Sequence, residues 1–167
     1  PVRLRAAARA GAGGHNGVIC PWPIPPDGPV LVVEGEADAA AALSAGQETV
    51  IGTPGSTPGA AVVKSLQHVL AGRNAVLAPD NDAAGNKWRD NLGHALAGVQ
   101  CQVKYISPAP KYKDIDERLQ MERDKPAALR EWIATAIPWA DPATKPKTQK
   151  PPARATINIT TDEMAVN

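Results

Sequence analysis

Between Pro29 and Ser107 the chain alternates strand-like and helix-like segments four times, and this alternation constrains the fold more than any other feature of the sequence. It opens with VLVVE, a β-branched run with no polar interruption, as expected of a strand covered on both faces in a parallel sheet. EADAAAALSAG follows, rich in helix formers, with Gly46 placed to cap it. The pattern repeats as ETVIGTPG (strand, then loop), AAVVKSLQHVLAG (helix), NAVLAP (strand), AAGNKWRDNLGHALAG (helix) and QCQVKYIS (strand). Such a series predicts right-handed βαβ crossovers: an α/β fold, Rossmann-like, with a central, mostly parallel four-stranded sheet flanked by helices. In sheets of this kind chemistry sits outside the carboxyl ends of the strands.

The flanks read differently. Residues 1–28 are basic and rich in Gly and Pro, show no clear period, and are expected to be a lead-in segment. Residues 29–137 form the expected main domain. Its last part is PAPKYKDIDERLQ, a loop leading to a short helix. KPAALREWIATAI then reads as an amphipathic helix with Pro126 in its first turn and Leu129, Trp132, Ile133 and Ile137 on one face. Residues 138–154 are Pro- and Lys-rich and read as a linker, and residues 155–167 as the start of a further domain. The chain does not begin with Met, so a fragment or a processed product is the expectation. No run of about 18 apolar residues is present, so no membrane span is expected, and the start lacks the apolar core of a secretory signal. Cys20 and Cys101 stand far apart without CxxC spacing, which suits two reduced thiols in a cytoplasmic protein. A net charge of +1 does not announce a nucleic-acid binder, but local basic patches or carboxylate-held metal ions can still grip phosphates.

The acids carry the chemistry. Glu34 ends the first strand, and Gly35 lets the backbone turn sharply beside it. Glu36 and Asp38 fall in the first helical turn, where the positive end of the helix dipole explains them. Asp80 and Asp82, in APDNDAAG, are two apart at the end of the third strand. In extended backbone they point the same way and can share one cation, and Mg²⁺ favours such hard oxygen ligands. Asp114 and Asp116, in KYKDIDERL, make a second DxD after the fourth strand. Each group alone has a structural reading: a salt-bridged acid at Glu34, a polar turn at Asp80–Asp82, a helix cap at Asp114. Together, Glu34 and the first DxD would repel one another unless a divalent cation offset their charge.

In that order and setting, the EGE of VLVVEGEADAAAAL, the DND of NAVLAPDNDAAGNKW and the following KDID resemble the Toprim domain. D-x-D-x-A-G at a strand-to-helix junction looks most like the bacterial-type primases, including phage and plasmid primase–helicase proteins. The resemblance runs from about Pro29 to Leu119. It implies a Toprim fold, Glu34, Asp80 and Asp82 as the catalytic, metal-binding acids, and Asp114 and Asp116 as additional metal ligands. Mg²⁺ is the implied cofactor, with Mn²⁺ able to substitute. Lys113, Lys87 and Arg89 are candidate phosphate contacts, each otherwise a solvated charge. Ser56 and Thr57 lie in GTPGST, where the family has a Gly-containing loop, so their hydroxyls are candidates to face phosphates; a plain loop is the alternative.

The implied activity is Mg²⁺-dependent nucleotidyl transfer, synthesising an RNA primer on single-stranded DNA from ribonucleoside triphosphates. The zinc-binding and helicase domains of such proteins would be missing partners, since no Cys/His cluster precedes Pro29 and no G-x-x-x-x-G-K-[ST] occurs. A Toprim-type nuclease would use the same acids. A non-catalytic nucleic-acid or replisome-binding module would keep the fold without needing the metal.

Overall fold

The computed structural model describes residues 4–6, 18–21, 24–107 and 111–142. In chain order the strands are β1 (Leu4–Ala6), β2 (Ile19–Pro21), β3 (Val30–Val33), β4 (Val50–Gly52), β5 (Asn74–Ala78), β6 (Gln102–Tyr105) and β7 (Ile137–Pro138). The helices are α1 (Glu36–Ser44), α2 (Ala60–Leu70), α3 (Ala83–Ala97), α4 (Ile115–Met121) and α5 (Lys125–Ala134). One seven-stranded sheet runs in the order β1-β2-β4-β3-β5-β6-β7. Its centre, β4-β3-β5-β6, is the expected parallel four-stranded sheet, flanked by helices as an α/β fold requires.

Both faces of this centre are covered. Leu31 and Val33 of β3, with Val76 and Ala78 of β5, pack with α1, α4 and α5 through Ala39, Ala42, Leu119, Leu129 and Trp132. Val30 and Val32, with Ala75 and Leu77, face the other way and pack with Leu66 and Leu70 of α2 and with Trp88, Leu92 and Leu96 of α3. Every residue of β3 is buried, which is why its sequence tolerates no polar alternation. The helix punctuation also follows the residues. Gly46, at φ 82°, takes the left-handed position just past α1, and Pro126 lies in the first turn of α5.

Two sequence expectations change. Residues 1–28 show no period, yet β1 and β2 add antiparallel strands at one edge of the sheet, with Ile19 opposite Gly52 of β4. The last helix stops at Ala134 rather than continuing to Ile137. Ile137 and Pro138 pair antiparallel with Tyr105 and Lys104 of β6, so Ile137 leaves the apolar helix face and stands exposed. Of the expected linker, residues 138–142 are described, with Pro138 in β7; the rest of it and the downstream segment lie outside the described residues. Among the described residues no helix is long and apolar enough to cross a membrane.

Candidate active site at the carboxyl edge of the sheet

The strand order decides which acids meet. β4 lies on the far side of β3, so β3 and β5 are direct neighbours, with Val33 opposite Ala78. Glu34, the residue after β3, and Asp80, two residues after β5, therefore emerge side by side. The Asp80 N–H donates to Glu34 Oε2 at 3.3 Å. Asp82 caps α3, its Oδ1 accepting from the Gly85 N–H at 2.7 Å, and its side chain is otherwise open to solvent. Gly85 is required here: a Cβ at this position would overlap the backbone of Asp80, so only glycine lets the helix start lie directly against the acid-bearing loop.

The second DxD is stitched to the first through Asn81, the residue between the two aspartates. Its N–H donates to the Lys113 carbonyl at 2.7 Å and its side-chain amide to the Tyr112 carbonyl at 3.1 Å. Asp114 caps α4, accepting from the Glu117 N–H at 2.8 Å, while the Glu117 carboxylate reaches back to the Lys113 N–H. Asp116 uses its N–H on Asp38 Oδ1 at 3.1 Å and its carboxylate on the Gln120 amide at 2.9 Å. The Lys113 ammonium stands at the rim, 3.9 Å from Asp80 Oδ2 and 3.6 Å from Asp114 Oδ2, with its side chain 67% exposed.

The helix dipole accounts for Asp38 in the sequence, but the side chain is buried (7% exposed) and belongs to this acid group. A signal was present in the sequence. Asp38 lies four residues before Ala42, on the α1 face that enters the core, and it follows Glu34 by one helical turn. Gly35 makes room for it, since a Cβ there would press on Asp38 Oδ2.

Burial is the main force on the titration of these groups, and like charge adds to it. Burial and then Asp80 push the Glu34 carboxyl up to about 7; the Asp80 N–H pulls back, and Asp82 and Asp38 push further. Asp38 rises to about 6 by burial, opposed by the Asp116 N–H and reinforced by Asp114, Asp80 and Asp116. Asp80 is also raised by burial, with Lys113 pulling it down and Asp114 and Asp82 pushing it up. Lys113 is held in its charged form above its ordinary range by Asp80 and Asp114.

Glu34, Asp80, Asp82, Asp114 and Asp116 are thus brought to one edge of the sheet, with Asp38 added and Lys113 over the rim. Among the described residues no three acidic, His or Cys side chains stand close enough as placed to ligate one ion. In donor chemistry, though not in placement, the group suits a divalent cation. Its donors are all carboxylate oxygens, two of them are buried and driven toward protonation, and the cation facing Asp80 and Asp114 is an exposed lysine that can swing aside. Lys87 is exposed on α3. Arg89 is committed to Asp90 at 2.8 Å and Asn86 at 2.9 Å, and lies 4.7 Å from the centre of the Tyr105 ring. Ser56 and Thr57 sit in the loop after β4, on the same edge of the sheet as the acids, half-buried and exposed respectively.

A comparison with curated proteins gives no significant match. Among solved structures, the fold is similar to the zinc-binding and RNA polymerase domains of the Aquifex aeolicus primase, with a TM-score of 0.57 at 23% identity. That match covers 67% of this chain and 27% of the other. A DNA primase domain from Pseudomonas aeruginosa gives 0.54 at 23% identity, covering 66% and 34%. The E. coli primase catalytic core gives 0.52 at 23% identity, covering 67% and 35%. The chain therefore spans roughly a quarter to a third of the length of these proteins. The Toprim-like family itself matches residues 31–119, the stretch that carries Glu34, both DxD pairs and Asp38. The chain belongs to the Toprim-like family.

Proposed function

We propose that this acid rim is the centre of a Mg²⁺-dependent nucleotidyl transfer that synthesises RNA primers for DNA replication in the cytoplasm. Ribonucleoside triphosphates would be the substrates and single-stranded DNA the template. The observation that carries the reading is the meeting of Glu34 with the Asp80–Asp82 loop, sealed by the 3.3 Å hydrogen bond from the Asp80 N–H. Similarity to primase cores across the matched fold supports the reaction class.

In this reading Glu34, Asp80 and Asp82 hold the cation, with Asp38, Asp114 and Asp116 adding negative charge around it; Mn²⁺ would substitute. Bound Mg²⁺ supplies charge stabilisation at the phosphates and orients them. With burial and neighbouring acids raising Glu34 to about 7 in the metal-free chain, cation binding there would displace its proton. Lys113 is free to turn from the acids to a triphosphate oxygen, because its ammonium is already at the exposed rim. The loop bearing Ser56 and Thr57 offers hydroxyls on the same edge, and Lys87 an outer positive charge. Residues 29–137 form the catalytic unit in this proposal. Zinc-binding and helicase domains, in the same protein or in partners, would help hold the template.

The test compares the chain with its Asp80→Asn/Asp82→Asn variant, with and without Mg²⁺, on single-stranded DNA and ribonucleotides. Metal-dependent product lengthening, lost in the variant, supports primer synthesis. Shortening of the DNA instead would replace this reading with a nuclease.

A further inference from the structure

Thr53 and Trp88 are both fully buried, yet each carries a polar group that the core does not need for filling space. The Trp88 indole N–H donates to the Thr53 hydroxyl at 2.9 Å. A hydroxyl has one proton and two lone pairs, so Thr53 still has its proton to give. Three backbone carbonyls lie within reach: Val33 at 3.3 Å, Gly55 at 3.4 Å and Glu34 at 3.5 Å. Val33 already accepts the Thr53 N–H at 2.9 Å, as a continuation of the β3–β4 ladder.

The three elements joined here are the ones that must be in register for the acids to meet. Thr53 follows β4 directly, and Gly52 lies opposite Val33, so Thr53 stands beside the peptide of Glu34. Trp88 belongs to α3, the helix that Asp82 caps and against whose first turn the Asp80 backbone rests. The contacts close a ring: Glu34 carboxylate to Asp80 N–H, the Asp80–Asp82 loop to α3, Trp88 to Thr53, and Thr53 back to the Glu34 backbone. The link between the acids is one of its long members. At 3.3 Å it is already at the long end for an N–H···O bond, so a small shift of α3 away from the sheet would open it. Stability alone does not call for a polar pair here, since replacing both partners of a buried hydrogen bond by apolar groups of similar shape can be nearly neutral.

We infer that the Thr53–Trp88 hydrogen bond is a positioning strut, setting the distance between Glu34 and the Asp80–Asp82 loop by fixing α3 against the end of β3. Its role in activity rests on the acid rim being the metal and nucleotide site; its role in geometry does not. Neither residue touches substrate in this assignment, and both act through the acids.

The experiment uses the full chain with Thr53→Val, Trp88→Phe, the double variant and Thr53→Ser. Three quantities are read: hydrogen exchange of the Asp80 amide by NMR, the Mg²⁺ concentration giving half-maximal thermal stabilisation, and kcat and KM for primer extension. Thr53→Val is expected to speed exchange of the Asp80 amide by about tenfold, on the scale of one lost hydrogen bond. It should also raise the Mg²⁺ midpoint and lower kcat more than it changes KM for nucleotide. Thr53→Ser restores all three. The double variant is the decisive one. It should recover folding stability, because no buried donor is left unpaired, while the Asp80 amide and the Mg²⁺ midpoint stay displaced.

If both instead return to wild-type values along with stability, or never move in Thr53→Val, the pair is part of the core and nothing more. Should Thr53→Val fail to fold, Trp88→Phe alone still decides the matter by the same readings. If the Asp80 amide responds as expected while even the wild-type chain neither binds Mg²⁺ nor makes primer, the strut stands and the enzymatic reading falls.

Discussion

Glu34 and Asp38 bring two carboxylates into the same buried corner, and their titration gives a stability signature with a definite sign. In the folded chain Glu34 rises from 4.5 to about 7 and Asp38 from 3.8 to about 6. The folded state therefore holds more protons than the unfolded state between about pH 4 and pH 7. Its stability from these groups is fully present below the unfolded values and is lost as pH rises through the folded ones. Without divalent metal, the urea midpoint is expected to fall between pH 5 and pH 8, and Glu34→Gln should flatten that slope; an equal slope in wild type and variant would contradict it. Gly85 makes a second prediction. A methyl group there meets the Asp80 backbone rather than a flexible side chain, so Gly85→Ala should destabilise the chain by about 1–3 kcal/mol in urea denaturation, against the usual gain from Ala in a helix. At this scale the sequence spoke clearly where an acid follows a strand, as at Glu34 and Asp80. It spoke poorly where a helix buries an acid, as at Asp38, because a carboxylate in a first turn already has a sufficient explanation in the dipole.

The elements follow the same division. β3, β4 and β5 were legible because both their faces are covered, so their sequences carry unbroken apolar runs. β1, β2 and β7 were not, because these short strands flank the covered parallel centre and exist through pairing with their neighbours. The misplacement of Ile137 has the same origin. Its apolar side chain continues the helical spacing of α5, but hydrogen bonding to β6 takes over after Ala134. Trp139 holds that exit in place. Its ring packs against Gly93 of α3, its N–H donates to the Val103 carbonyl at 3.0 Å, and its indole N–H donates to Asp90 at 3.3 Å. Trp139→Ala is expected to cost about 2–3 kcal/mol, less than for a fully buried Trp, and to speed amide exchange along β6. If β6 exchange does not change, β7 is not what secures that edge of the sheet.

For the molecule as a whole, topology turns a sequence pattern into a site. Residues separated by 46 positions, Glu34 and Asp80, meet because the chain returns β5 to the side of β3 that β4 leaves open. What then remains is a buried negative corner, faced at Asp80 and Asp114 by an exposed lysine, and a divalent cation would relieve it. Since a ligand that binds only the folded state stabilises it by mass action, thermal unfolding across a Mg²⁺ series reads that occupancy directly. It is best performed near pH 8, where Glu34 and Asp38 have lost their protons. Wild type should gain a saturable increase in melting temperature that shrinks at pH 5.5 and vanishes in Asp80→Asn/Asp82→Asn. A wild-type melting temperature indifferent to Mg²⁺, or a gain that survives in the variant unchanged, would mean that these carboxylates do not form a metal site.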